Sequence, residues 1–433
     1  MVMAGPEAAS SGSLEPTLPV RFVDVERCRR VMGEARLDAL VATGDENLYY
    51  LSGHAPDSVL AHFYDTWDAA ILPRASDAPP CLIVSEYDLA YCVTHPSWMP
   101  ELRAYGAEWS SAAGLLDRIN RGIGVDTELR QPLRALYQRT LAHRTPNLIE
   151  AILGYIRDEL QKGVLRIGFD DLRLAAAVQA KLGNRLEAVD GLPALRRTRL
   201  VKTPAEIELL RAGAAINDEA LGAAAGAVRE GRPWYDMVRA YRRALDERDA
   251  KPSGERGMLF GSGPDGSFVL DHRYVERKRF ARGDSVVLDA ICTYRMYHAD
   301  MARTAIVGEP RKRHRELCDA ARHALEVSEA RLRPGVHTAE VQKGAAEVLA
   351  KHGLEPGLAT LVFHPIGLNV FDYASAEEAA QGWVVEPSTA MNFEVFYRDP
   401  EYGGMHLEDT VLVGARGIEH LSRFPRDMIV AGT

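Results

Sequence analysis

Short apolar runs punctuate the first third of this chain, and helical spacing fills the gaps between them. Asp38–Thr43 (DALVAT), Ala69–Leu72, Cys81–Ser85 and Arg166–Phe169 have strand length and strand composition. Val25–Arg36, Leu133–His143 and Leu148–Gln161 repeat apolar residues at helical intervals. Gly44-Asp45-Glu46-Asn47, ahead of Leu48–Leu51, is turn chemistry. Strands alternating with helices predict an α/β layered domain. This stretch holds no glycine-rich phosphate loop and no cluster of histidine and acids at metal spacing, so it reads as a positioning or oligomerisation domain.

A boundary falls near Arg196–Lys202. Thr203, Pro204 and Glu206 then supply an N-cap, a first-turn proline and a capping-box acid. Ile207, Leu210, Ala214 and Leu221 follow on one helical face. Beyond this helix start the chain shows a weak internal duplication. Residues 212–252 and 318–356 each read as helix, glycine–proline turn, helix, then a Lys-Pro or Glu-Pro pair. Gly231 to Pro252 and Gly335 to Pro356 are both 21 residues apart. Two helical hairpins, each leading into strand-rich sequence, predict a domain with pseudo-twofold symmetry. The expected division is a flexible tail over 1–20, a first domain over 21–195 and a second over 196–433.

Composition narrows the class. The 433 residues are 46% hydrophobic and 26% charged, ordinary globular values for two or three domains. The net charge of −9 argues against nucleic acid or an anionic membrane as partner, since both select basic patches. Five scattered cysteines without a CxxC spacing fit a reducing compartment. The start, rich in Ala, Ser, Gly and Pro, lacks the basic-then-apolar form of a signal peptide. No run of ~18 uncharged apolar residues occurs. A cytoplasmic protein is expected.

The second domain carries the candidate chemistry. Ser285–Leu288 leads into Asp289, and Tyr297-His298-Ala299 into Asp300. Met391-Asn392-Phe393 leads into Glu394, and His406-Leu407 into Glu408, with His364 between the two pairs. Taken singly, each acid reads as a surface charge beside a strand. Taken together, four carboxylates converging on a buried site need cations to offset their repulsion. Four carboxylates and one imidazole form a mostly oxygen donor set. With bridging carboxylates it suits two divalent ions, Mn²⁺, Co²⁺ or Fe²⁺, and also accepts Zn²⁺.

The order Asp289, Asp300, His364, Glu394, Glu408, within the strings GSGPDGSF, HADMARTAIVG, FHPIGL and HLEDTVLVG, resembles the pita-bread metallopeptidases: prolidase, Xaa-Pro aminopeptidase (aminopeptidase P), methionine aminopeptidase and the related creatinase. RLDALVATGDENLYYLSG and RRTRLVKTPAEIELLRAGAAINDEAL extend the resemblance over nearly all of the chain after residue 20. It implies a creatinase-like N-terminal α/β domain and a C-terminal pita-bread α+β catalytic domain, assembled as a homodimer. By resemblance Asp289 chelates one metal, Asp300 and Glu408 bridge two, and His364 and Glu394 hold the other. Glu394 doubles as the base that accepts the proton of the nucleophilic water. His272 falls where the family places a histidine beside the leaving group.

Three positions depart from the family pattern. Ala290 and Ile291 follow Asp289 where Asp-x-Gly is common. Phe371 stands where peptidases carry a second histidine, and His406 where they carry an arginine. His406 and His298 are candidate replacements, and Asp372, Tyr397 and Arg398 candidate readers of a polar substrate end. The resemblance implies metal-dependent hydrolysis of a C–N bond in a short peptide, as by an Xaa-Pro dipeptidase or aminopeptidase. Two alternatives remain open. One is a hydrolase or lyase acting on a small metabolite, as creatinase and the dimethylsulfoniopropionate lyases do. The other is a pseudoenzyme that binds protein.

Overall fold

The computed structural model describes residues 19–61, 68–106, 112–160, 163–267 and 278–432. The tail expected over 1–20 thus lies outside the described residues except for its last two positions. The chain divides into two compact units, Met1–Leu195 and Arg196–Thr433.

The first unit is built on a six-stranded sheet of Ala39–Ala42 (β1), Ala69–Pro73 (β2), Cys81–Ser85 (β3), Glu101–Tyr105 (β4), Leu165–Phe169 (β5) and Leu186–Asp190 (β6), in the order β4-β3-β2-β1-β5-β6. The β1–β2 and β2–β3 pairs are antiparallel and the rest parallel. Every residue of β1, β2 and β3 is buried, the burial on both faces that continuous apolar runs predict. Ala39, Val41, Ile71, Ile83 and Phe169 pack with Ala151, Ile152 and Tyr155 of the helix Leu148–Glu159.

β4 and β6 escape the sequence reading because charges interrupt them and they form the two margins of the sheet. Asp45–Glu46–Asn47 is not a turn. It opens the helix Asp45–Ser52, with Gly44 extended at its N-cap and Gly53 left-handed (φ 73°) at its end. Acids favour the first turn of a helix for the same reason that they suit turns: both leave backbone N–H groups open.

In the second unit the helices Pro204–Ala227 and Tyr235–Asp246 form one hairpin, and Lys312–Arg331 and Thr338–Lys351 another. The Thr203–Glu206 capping box is present. Among the described residues the sheet has nine strands: Lys251–Pro252 (β7), Met258–Ser262 (β8), Ser285–Tyr294 (β9), Tyr297–Val307 (β10), Ala359–Pro365 (β11), Thr389–Asp399 (β12), Gly403–Gly414 (β13), Gly417–His420 (β14) and Ile429–Ala431 (β15). Its main path runs β11-β12-β13-β10-β9-β7.

Period-two alternation divides the long strands. Val286, Leu288, Ala290, Ala299 and Met301 join Trp234, Met237 and Tyr241 in one apolar cluster. Met391, Phe393, Val395, Tyr397, Met405 and Leu407 join Leu317, Ala321, Leu325 and Leu349 in a second. Each hairpin therefore covers half of one sheet face, and the intervening residues point to the other. Among the described residues no helix is long and apolar enough to cross a membrane.

Candidate metal centre

The five predicted ligands lie on that second face, and strand register brings them together. Val362 of β11 pairs with Glu394 of β12, Glu394 with Glu408 of β13, Glu408 with Ala302 of β10, and Ala302 with Asp289 of β9. Glu394, Glu408 and Asp289 thus share one row across four strands. His364 and Asp300 stand two residues along from that row, on the same face. Ligand atoms of Asp300, His364 and Glu408 all lie within 4.8 Å of one another, and all three side chains are buried.

The backbone and neighbouring polar groups fix this geometry. His364 Nδ1 faces the carbonyl of Val370 at 2.8 Å, so that nitrogen carries the hydrogen and Nε2 presents its lone pair to the acids. Asn392 donates from Nδ2 to Glu408 Oε1 at 2.8 Å and to Asp300 O at 3.2 Å. The Thr410 hydroxyl lies 2.7 Å from Asn392 Oδ1 and 2.9 Å from Asp300 O, and its one hydrogen serves either acceptor. Arg303 ties the strands from behind, donating to Glu408 O and to Asp409 Oδ1, each at 2.6 Å. Sequence reasoning missed Asn392, Thr410 and Arg303. The legible signal for Asn392 is its place two residues before Glu394, on the same strand face.

The electrostatics are those of acids short of cations. Burial lifts the Asp289 carboxyl to about 8, and Glu408 and Glu394 add to the shift while His406 opposes it. Burial and the same neighbouring acids hold Asp300 well above the carboxylate range. Burial would also raise Glu394, but His406 Nε2 at 3.3 Å holds it below its ordinary value. Burial alone would lower His406. The Glu394 carboxylate, 3.3 Å from Nε2, and the charge of Asp289, 3.8 Å from Nδ1, raise it instead to about 9.

Comparison with known proteins places this geometry. Residues 208–415 match the model of metallopeptidase family M24, and residues 25–201 match the creatinase/prolidase N-terminal domain. The second unit thus carries a metallopeptidase family M24 domain over residues 208–415. The Xaa-Pro dipeptidase of Pyrococcus furiosus is 26% identical over 236 residues, 54% of this chain and 66% of that protein. The probable dipeptidase PepE of Mycobacterium tuberculosis is 27% identical over 401 residues, 92% of this chain and 93% of that one. A creatinase from a Bacillus species is 28% identical over 280 residues, 59% of this chain and 64% of that one. The crystal structure of the prolidase from Pyrococcus horikoshii superposes with a TM-score of 0.68 at 19% identity, covering 94% of this chain and 99% of that one. The fold is accordingly the pita-bread fold behind a creatinase-type N-terminal domain.

The M24 family implies a divalent metal, and the residues present fit one. Buried Asp300 Oδ1 and His364 Nε2 have no hydrogen-bond partner among the described residues. Among the described residues His406 and His364 lie within ion-pair distance of Asp289, Glu394 and Glu408, and Arg398 acts on Glu394 from further away. A donor set of this kind needs positive charge at its centre.

The substrate-side candidates scatter. His406 lies on the metal face, tilted against Phe396 at 4.9 Å, and Thr304 Oγ1 accepts from its main-chain N–H at 2.8 Å. His298 is half-buried on the Asp300 face of β10. Phe371 is 54% exposed, and its ring centre stands 4.2 Å from that of His364. Arg398 shares the Glu394 face of β12, lies over the Phe396 ring at 4.1 Å and donates to the Thr360 hydroxyl.

Two expectations need correction. Tyr397 has the opposite parity to Glu394 and is buried in the helix-facing cluster, away from the acids. Asp372 does not face a substrate, being fully buried and paired with Arg199 and Lys202. His272 lies outside the described residues.

Proposed function

We propose that this chain is a two-metal peptidase that hydrolyses the C–N bond of short peptides, of the Xaa-Pro dipeptidase or aminopeptidase type. The observation that carries the reading is the convergence of Asp289, Asp300, His364, Glu394 and Glu408 on one sheet face, with buried ligand atoms left unpartnered. Asp289, Asp300, Glu394, Glu408 and His364 would hold Mn²⁺, Co²⁺, Fe²⁺ or Zn²⁺, which when bound acidifies a water and polarises a carbonyl.

The rest is the work of this chain's own side chains. Glu394, kept ionised by His406, takes the proton from the attacking water at a carboxylate oxygen. His406 balances the charge of Glu394 from 3.3 Å and stands 3.8 Å from Asp289 Oδ2. Arg398 is half-buried on the same face, with no carboxylate in ion-pair distance among the described residues. It suits the free C-terminal carboxylate of a dipeptide. Phe371 offers an apolar wall beside His364 in place of a hydrogen-bond donor.

The Phe371 wall is the one observation that favours a second reading, a hydrolase of a small metabolite on the same fold. The deciding experiment is an assay of the Mn²⁺- or Co²⁺-reconstituted protein across Xaa-Pro dipeptides, longer Xaa-Pro peptides, and small amidine, amide and sulfonium metabolites. Dipeptide turnover with kcat/KM in the ordinary range of ~10⁴–10⁸ M⁻¹s⁻¹ supports the peptidase reading. Turnover of the small metabolites alone replaces it with the second.

A further inference from the structure

Between Arg199 and Glu206 the chain buries three charged side chains that the proposed reaction does not use: Arg199, Lys202 and Glu206. Charges buried to this degree persist only where well-placed partners hold them. Those of Arg199 and Lys202 lie on one loop. Arg199 Nη2 donates to Asp372 Oδ1 at 2.6 Å and to Asn369 Oδ1 at 2.8 Å. Lys202 Nζ stands 3.6 Å from Asp372 Oδ2 and donates to the carbonyl of Arg199 at 2.6 Å. The loop backbone rests directly on this group: a Cβ added to Gly367 would lie 2.7 Å from Asp372 Oδ2 and 2.9 Å from Lys202 Nζ.

The same loop reaches the metal face at two points. Val370, between Asn369 and Asp372, offers the carbonyl that accepts from His364 Nδ1 at 2.8 Å. Gly367 O accepts from the main-chain N–H of His298, two residues before Asp300, at 2.8 Å. Asp372 N closes the loop onto Pro365 O at 2.9 Å.

We propose that Arg199 is a positioning residue of the metal centre. Its guanidinium spans Asn369 and Asp372 and so fixes the Val370 carbonyl that sets the tautomer and aim of His364. The inference rests on the metal-centre reading above. A planar guanidinium suits this role because it can hold two acceptors at once in a fixed plane. Partners of a ligand histidine generally change metal affinity about 10–100-fold when removed.

The test is Co²⁺ titration of the full-length, metal-free protein, followed by ligand-field absorption and calorimetry. Arg199→Met is expected to weaken Co²⁺ binding about 10–100-fold and to shift the absorption bands, with circular dichroism unchanged. In a His364→Ala background the same change is expected to add no further loss, because the route runs through that imidazole. Unchanged Co²⁺ affinity in Arg199→Met, or losses that multiply in the double variant, overturns the inference. Should Arg199→Met fail to fold, Asn369→Ala removes one acceptor while leaving the Arg199–Asp372 pair. It is expected to weaken binding in the same direction, and unaltered affinity there also overturns the inference. A wild-type chain that takes up no Co²⁺ defeats the metal reading itself, an outcome separate from both.

Discussion

The two sheets of this protein bury their strands to a similar degree and use the burial differently. In the first unit, β1 to β3 are filled with Ala, Leu, Ile, Val and Cys, with few polar groups to satisfy. In the second, β9, β10, β12 and β13 are almost as buried, yet the face opposite the helices carries buried polar residues: Asp289, Asp300, Asn392, His406, Glu408 and Thr410. The first arrangement turns burial into stability. The second holds acids in a low-dielectric setting where they favour a bound cation over water. Within the second unit the same contrast recurs among charges. Asp372 is held below the ordinary carboxylate range because Arg199 and Lys202 outweigh its burial, whereas Asp289 and Asp300, with less positive charge close by, are pushed up.

This contrast can be broken most sharply at Asp300. Asp300→Asn keeps the shape and removes the charge, so activity is expected to fall by ~10³-fold or more in a folded chain. The metal-free variant should also melt higher than metal-free wild type, since an unpaired buried acid has gone. Near-normal turnover at unchanged metal content would refute the ligand assignment.

In the other sheet, Ile83→Ala is expected to cost about 2–5 kcal/mol in urea unfolding, as truncations of fully buried residues do. Metal content per folded chain should stay the same. A loss of metal uptake there would end the claim that only one sheet carries the chemistry.

A third test is pH. Asp289 keeps its proton to about pH 8 in the folded chain, against an ordinary 3.8, and His406 keeps its own to about 9, against 6.5. In both cases the folded state holds a proton that the unfolded state has released, so stability falls as pH rises. The Tm of the chelated protein should therefore drop between pH 6.5 and 9. The metal-loaded protein, with those protons displaced, should lose less Tm through the same window, the buried His54–Asp68 pair of the first unit contributing the same fall to both forms. A chelated protein whose Tm rises over that window would contradict the burial argument.

The smallest effects concern the side chains beside the acids. His406→Ala should lower turnover by about tenfold or more, as loss of a group assisting proton transfer does. Phe371→Leu, at a half-exposed position, should change stability by less than ~0.5 kcal/mol and turnover less than His406→Ala does. The reverse ranking would make Phe371 the specificity determinant.

Legibility in the sequence followed the local character of each signal. The apolar runs of β1, β2, β3 and β5 and the Thr203 capping box were visible because strand burial and helix capping depend on neighbouring residues. The five acidic and imidazole ligands were visible as a set through their order and their resemblance to a family. The charged β4 and β6 were not, since marginal strands need little apolar sequence. Asn392, Thr410 and Arg303 were silent because an amide, a hydroxyl or a guanidinium earns its role only from what register sets beside it.

By itself the sequence determined the alternation of strands and helices, the duplicated hairpins, the candidate ligand set and the departures at Phe371 and His406. Tertiary structure alone decided which face each residue serves. One step of parity sends Tyr397 into the core and keeps Arg398 beside the acids, because strand side chains alternate faces. It also decided that Asp372, a loop acid in the sequence, is a buried anchor for the His364 loop, because Arg199 reaches it across 173 residues of chain. Pairings of that kind arise from long-range packing, which no local pattern encodes.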